Sequence, residues 1–198
     1  MNKTDITANK LREALAHLGY TFFENGNYNL NIVGIRTKDL EANSFNDFIA
    51  VAYKDRGQWE LKVCEATTDP GVYWRNHPMN RKGTAVLVPG QHRRCYELGR
   101  HQNKYEALTQ AEVLPVYRDN NKDSKVDTDG AIDIGWHGIN IHRASSKWQS
   151  KQVNKWSAGC QVFANPNHFD YFIELCKKST QLYGSRITYT LIKEKDLC

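Results

Sequence analysis

A period-two alternation of apolar and polar residues, broken repeatedly by turn formers, fills the middle of this 198-residue chain. A 3.6-residue apolar period is confined to the two ends. Strands therefore dominate, flanked by helices. After the Asn25-Gly26 turn signal, Tyr28, Leu30 and Ile32 alternate with Asn27, Asn29 and Asn31. Residues 48–53 and 59–63 read as a hairpin across Lys54-Asp55-Arg56-Gly57-Gln58. Further short strands are expected at 84–88, 113–117, 138–141 and 161–163, and Ile187, Tyr189 and Leu191 alternate as a last one. Leu11, Ala14, Leu15 and Leu18 predict a helix stopped by Gly19. Asn165-Pro166-Asn167 opens a second helix along Phe169, Phe172, Ile173 and Cys176, with Gly184 near its end. No repeat, low-complexity segment or linker interrupts the chain. The expectation is one α+β domain over residues 1–198, mostly β, with a helix near each end.

Composition narrows the function classes. Apolar residues at 40% and charged residues at 25% support a real core and argue against disorder. No run approaches the ~18 apolar residues of a membrane helix, so no membrane insertion is expected. Met1-Asn2-Lys3-Thr4-Asp5 leads into charged sequence without a signal-type apolar segment. Synthesis in the cytoplasm without a signal peptide is the expectation, with any extracellular work following release. The net charge of +5 is compatible with an anionic partner without identifying one. Five cysteines, widely spaced and without a CxxC pair, fit neither a disulfide framework nor a zinc ribbon. Cys64 and Cys176 lie inside apolar patterns and read as core; Cys95 and Cys198 have no local motif and read likewise.

Cys160 differs in its surroundings. Gly138-Ile139-Asn140-Ile141 delivers His142, a polar basic loop follows, and Trp156-Ser157-Ala158-Gly159 then delivers Cys160 ahead of Gln161-Val162. A free thiol titrates near pH 8.5, so a cysteine nucleophile needs a base beside it, and His142 is the nearest candidate. The small-residue turn would let the Gly159 and Cys160 N–H groups face an oxyanion, each donor worth about 3 kcal/mol. The requirement is spatial: the imidazole of His142 and the sulfur of Cys160 must be neighbours in an accessible crevice.

His142-x17-Cys160 with Ser157-Ala158-Gly159-Cys160 resembles the signature of the YkuD-type L,D-transpeptidases, a histidine followed after a loop by Ser/Thr-His-Gly-Cys. The likeness covers roughly residues 134–163. Thr67-Thr68-Asp69-Pro70-Gly71 and Gly83-Thr84-Ala85 are loosely similar to a Thr-Pro-x-Gly region before the family's catalytic strands. The resemblance implies a β-sandwich and attack by the cysteine on peptidoglycan stem peptides, with acyl transfer to an amine or to water. It makes Cys160 the nucleophile and His142 the general base, places Ser157 and Gly159 in the turn that shapes the oxyanion site, and lets the main chain of Arg143 orient the histidine. It implies neither a cofactor nor a metal. Two positions depart from the pattern: Ala158 replaces the histidine before Gly-Cys, and Val162 replaces the Arg or Asn after it. His137, Arg143 and Lys147 are the residues that could compensate in substrate binding. Combined with the missing leader, the resemblance favours a hydrolytic, endolysin-like peptidase. Cross-linking transpeptidation, or a non-catalytic wall-binding or virion domain with a degenerate site, is the alternative.

The remaining features have ordinary explanations beside functional ones. His137 serves either the site or an ordinary polar partner. Trp136, assigned with His137 to substrate binding, could line a cleft with Trp148 and Trp156, although core packing is tryptophan's commoner fate. His77, His92, His101 and His168 lack metal-ligand spacing. Asp119, Asp123, Asp127, Asp129 and Asp133 suggest a calcium loop, but Ser124 and Gly130 stand where glycine and glutamate are required, so a solvated acidic loop is expected. Arg143, Lys147, Lys151 and Lys155, interleaved with Trp148 and Trp156, read as a solvated active-site flap; the nearby aspartates argue against nucleic acid.

Overall fold

The computed structural model describes residues 1–40, 43–123 and 125–197. Cys198 and the Ser124 position of the acidic run therefore lie outside the described residues. The strands are β1 (Asn31–Arg36), β2 (Asp47–Asp55), β3 (Gln58–Thr67), β4 (Thr84–Leu87), β5 (Gly90–His101), β6 (Tyr105–Gln110), β7 (Leu114–Asp119), β8 (Asp133–Gly135), β9 (Ile141–Arg143), β10 (Gln161–Phe163) and β11 (Arg186–Lys193). The helices are α1 (Ala8–His17), α2 (Val72–Asn76) and α3 (Pro166–Tyr183). The mostly β, α+β expectation holds. The strands close into an eight-stranded barrel, ordered β1-β11-β5-β6-β9-β10-β3-β2, beside a small sheet β4-β7-β8. The expected sandwich is thus not what the hydrogen-bond order describes. The junction between β6 and β9 is a single residue pair, Leu108 opposite Ile141.

Side-chain parity sorts the barrel into two layers. Ile32, Ile49, Val51, Tyr53, Ile187, Tyr189 and Leu191 point into the main core with Phe169, Phe172 and Ile173 of α3. Their neighbours Val33, Ile35, Phe48, Ala50, Ala52 and Ile192 point outward, where Leu11, Ala14 and Leu15 of α1 cover them. The Thr7 hydroxyl caps α1 through the Lys10 N–H, and Asn165 caps α3 with Pro166 in its first turn. Ala85, Leu87, Leu114 and Val116 join the small sheet to the same core.

Several boundaries move for local reasons. Tyr28 has φ +55°, outside the strand region, so the first strand starts at Asn31 and runs on through Val33 and Ile35. Residues 138–140 are not strand: the Asn140 side chain, not a backbone carbonyl, accepts the Gln110 N–H at 3.0 Å, and pairing begins at Ile141. The long hairpin of β5 and β6 was not anticipated. Its turn places Gln102 and Asn103 at positive φ, a conformation Asn tolerates.

Candidate active site

Parallel pairing of β9 with β10 sets His142 opposite Val162. The Gln161 N–H donates to the Asn140 carbonyl at 2.9 Å, which extends the ladder back to Cys160. Cys160 thus lies two residues before the partner of His142, on the adjoining segment. Among the described residues no hydrogen bond joins the two side chains. The Asn140 N–H donates to Sγ at 3.4 Å, and the thiol donates to the Gly138 carbonyl at 3.4 Å. The two side chains are thus on neighbouring segments, each bonded to main-chain groups rather than to the other.

The turn that presents the thiol is built from its own residues. Ser157 is fully buried; its hydroxyl donates to the Cys160 carbonyl at 2.8 Å and accepts the Gly159 N–H at 3.1 Å. This corrects the oxyanion expectation, because the Gly159 N–H is already taken. The Cys160 N–H, without a partner among the described residues, remains as the donor beside the sulfur. Gly159 itself is at φ +118°, and a Cβ there would come within 2.4 Å of the Ala85 carbonyl oxygen. Only glycine fits. Gly71 donates its N–H to the Ser157 carbonyl at 2.9 Å. The two segments with the looser resemblance, 67–71 and 83–85, therefore both abut this turn.

His142 is buried, and its Nδ1 lies 2.8 Å from the Arg143 carbonyl oxygen. A carbonyl only accepts, so Nδ1 carries the proton and Nε2 keeps its lone pair, the tautomer a general base needs. The Tyr105 hydroxyl donates to the same carbonyl at 3.1 Å. Arg143 thus contributes its main chain here, while its guanidinium sits 4.1 Å from the centre of the Tyr105 ring. Burial, followed by the nearby His101, lowers His142 to about 3. Burial also pushes the Cys160 thiol up to about 11, against the opposing effect of the Asn140 N–H. The resting pair is therefore thiol and neutral imidazole.

Cys160 is the one partly exposed thiol among the described cysteines; Cys64, Cys95 and Cys176 are buried. Burial raises Cys64 to about 11 and Cys95 to about 12, and Cys176 likewise upward. These three fit the core role expected of them.

The predicted substrate-binding residues divide between two cavities. Arg143 and Lys147 line a cavity of about 610 Å³ with His101, Lys104, Tyr105, His142, Trp148, Lys155 and Trp156. Trp136 and His137 line a second, of about 210 Å³, with Ala158 of the cysteine turn. The His137 ring is held at both nitrogens: Arg118 donates to Nδ1 at 3.0 Å, and Nε2 donates to the Asp133 carbonyl at 3.1 Å. His137 is therefore a wall residue rather than a free base. Trp136, Trp148 and Trp156 are exposed, not packed in the core.

Two loops differ from expectation. Asp119 is not solvated: it is fully buried against Arg75 at 3.0 Å, and Asp123 holds the same guanidinium at 3.1 Å. The basic loop is anchored in its middle, where Val153 is buried and donates its N–H to the Asn43 carbonyl at 3.0 Å.

His101 and Asn140 were not anticipated as site residues. The His101 ring stacks on His142 at 3.9 Å between centres and 18° between planes. Because Asn140 Oδ1 accepts from Gln110, its Nδ2 is the atom 3.2 Å from His101 Nδ1 and donates to it. The His101 proton is consequently on Nε2. Strand parity gives no signal for His101, since it falls on the opposite face from Tyr96 and Leu98; its place depends on which strand lies beside the end of β5. No family model, curated protein or solved structure matches the chain.

Proposed function

We propose that the protein is a cysteine-dependent peptidase acting on peptidoglycan stem peptides, built on a divergent L,D-transpeptidase-like site. One observation carries this reading: a partly exposed thiol on a glycine-dependent turn stands on the segment beside a histidine whose Nδ1 is tied to a carbonyl. In the proposed reaction the Cys160 S–H proton moves to His142 Nε2 while Sγ bonds to the substrate carbonyl carbon. The Cys160 N–H supports the oxyanion. Collapse breaks the C–N bond, His142 returns the proton to the leaving amine, and a thioester remains. Water, deprotonated by His142, then cleaves the thioester to an acid and regenerates the thiol.

Hydrolysis is favoured over transfer because Lys104, Arg143, Lys147 and Lys155 line the cavity beside His142. That field repels an ammonium-bearing acceptor, not water, and attracts the carboxylates of a stem peptide. The raised Cys160 thiol, bonded to the Gly138 carbonyl, favours the second reading, a non-catalytic wall-binding domain. The decisive experiment incubates purified sacculi with wild type and Cys160→Ala and weighs the released muropeptides. Products that gain water and vanish in the variant are expected. Joined peptides would mean transfer, and identical profiles would remove the enzymatic reading.

A further inference from the structure

His142 must become a cation for Cys160 to become an anion, and the surface it becomes a cation against is another imidazole. His101 arrives from the end of β5, its ring parallel to His142 at 3.9 Å. Asn140 fixes that ring by donating to Nδ1 at 3.2 Å, and the same residue donates its main-chain N–H to Cys160 Sγ at 3.4 Å. Thiol, amide and both imidazoles therefore form one connected set, with His101 lining the larger cavity.

We infer that His101 is a positioning residue whose charge gates the thiol: neutral, it accommodates the imidazolium of His142, and protonated, it forbids it. The inference rests on the thiol–imidazole reading of the site, whatever peptide it cleaves. The face of a neutral aromatic ring receives a cation favourably, whereas two stacked imidazolium rings repel at contact distance.

The surroundings leave nothing to neutralise a second positive charge. His101 meets Lys104 of its own hairpin, Tyr105 of β6 at 5.7 Å between ring centres, and His142 of β9. Arg143, Lys147 and Lys155 line the same cavity, and no carboxylate does so among the described residues. Burial and then Lys104 hold His101 below the usual histidine range, and burial holds His142 down at about 3. Because the His101 ring is partly exposed at the cavity wall while His142 is buried with Nδ1 tied to a carbonyl, His101 is the first of the two to take a proton on acidification. Its protonation closes the site while His142 is still a competent base.

The test reads the thiol directly. Iodoacetamide alkylation of Cys160 forms an S–C bond and expels iodide, with the thiol proton passing to His142. Its rate, followed by peptide mass mapping, is measured from about pH 4 to pH 8. The wild-type rate is expected to fall on acidification as His101 charges. In His101→Phe, which keeps a ring and loses the proton, that fall should move down by about one pH unit or more, a tenfold difference on the limb. His101→Gln should shift it in the same direction. Superimposable limbs in wild type and both variants would overturn the gate. Imidazole ¹⁵N shifts of the wild type give a variant-free check: His101 titrates first and His142 responds in step. Independent titration, or His142 protonating first, would also overturn it. Muropeptide release run in parallel separates the two claims: a shifted limb without products rejects the peptide substrate and keeps the gate, and products with superimposed limbs do the reverse.

Discussion

Gly159 and Ser157 show how little freedom the cysteine turn has. At φ +118° a side chain is strained, and the added carbon would meet the Ala85 backbone rather than a movable side chain. Gly159→Ala should cost about 2 kcal/mol or more in thermal or denaturant unfolding and displace Cys160, slowing its alkylation. Ser157 is clamped between two backbone groups of that turn. Ser157→Ala leaves the buried Gly159 N–H without its acceptor, a loss of roughly 1–3 kcal/mol. Alkylation should slow with the same ordering of the thiol lost. An unchanged midpoint and an unchanged rate in both variants would show that the turn is not what presents the sulfur.

The elements around the site are held by a few specific anchors. The basic loop is pinned where Val153 is buried, while Lys147, Lys151 and Lys155 along it are exposed. Val153→Ala removes that plug. A local loss of about 1.4 kcal/mol multiplies the open population about tenfold. Tryptic cleavage between residues 144 and 156 should accelerate by that factor with the global unfolding midpoint little changed. Beside the segment that abuts the cysteine turn, Arg36 of β1 ties strands that share no ladder. Its guanidinium pairs with Asp69 at 2.8 Å and donates to the Thr68 carbonyl at 2.9 Å and, on β4, to the Leu87 carbonyl at 3.0 Å. Arg36→Met would strand Asp69 in the interior and should cost about 3–5 kcal/mol in equilibrium unfolding. A neutral effect would mean that packing alone holds the small sheet to the barrel.

Across the whole molecule, two buried groups drive stability in opposite directions over one pH window. His142 is neutral when folded, down to about 3, whereas the unfolded chain takes up that proton near its ordinary 6.5. Its contribution is therefore lost as pH falls from about 6.5 toward 3. Asp47 behaves inversely. Burial, then the neighbouring Asp69, raises it to about 7 from 3.8, so the folded state keeps a proton the unfolded chain has released. Its contribution is lost as pH rises from about 4 to 7. Melting temperatures across about pH 4.5–6.5 should thus decline on acidification more steeply in Asp47→Asn than in wild type. In His142→Gln they should decline less, or rise. The slopes decide, whatever offset each substitution adds, and parallel slopes in all three proteins would refute both assignments.

The site residues nearest in sequence were legible because their chemistry is local. Cys160, Gly159 and Ser157 form one turn, and the neighbour that orients His142 is the next residue, Arg143. Strand parity was legible for the same reason, since alternate residues of a strand face opposite sides wherever it is placed. What the sequence by itself determined, then, was a mostly β chain with a helix near each end and one cysteine set apart from the rest. The tertiary structure decided how the strands close, that the Gly159 N–H is consumed, and that Trp136 and His137 stand on a different cavity from Arg143 and Lys147. It also decided that His101 lies against His142. Those outcomes depend on register between distant segments, which a one-dimensional period does not encode: the same alternation serves a strand in any sheet, beside any partner.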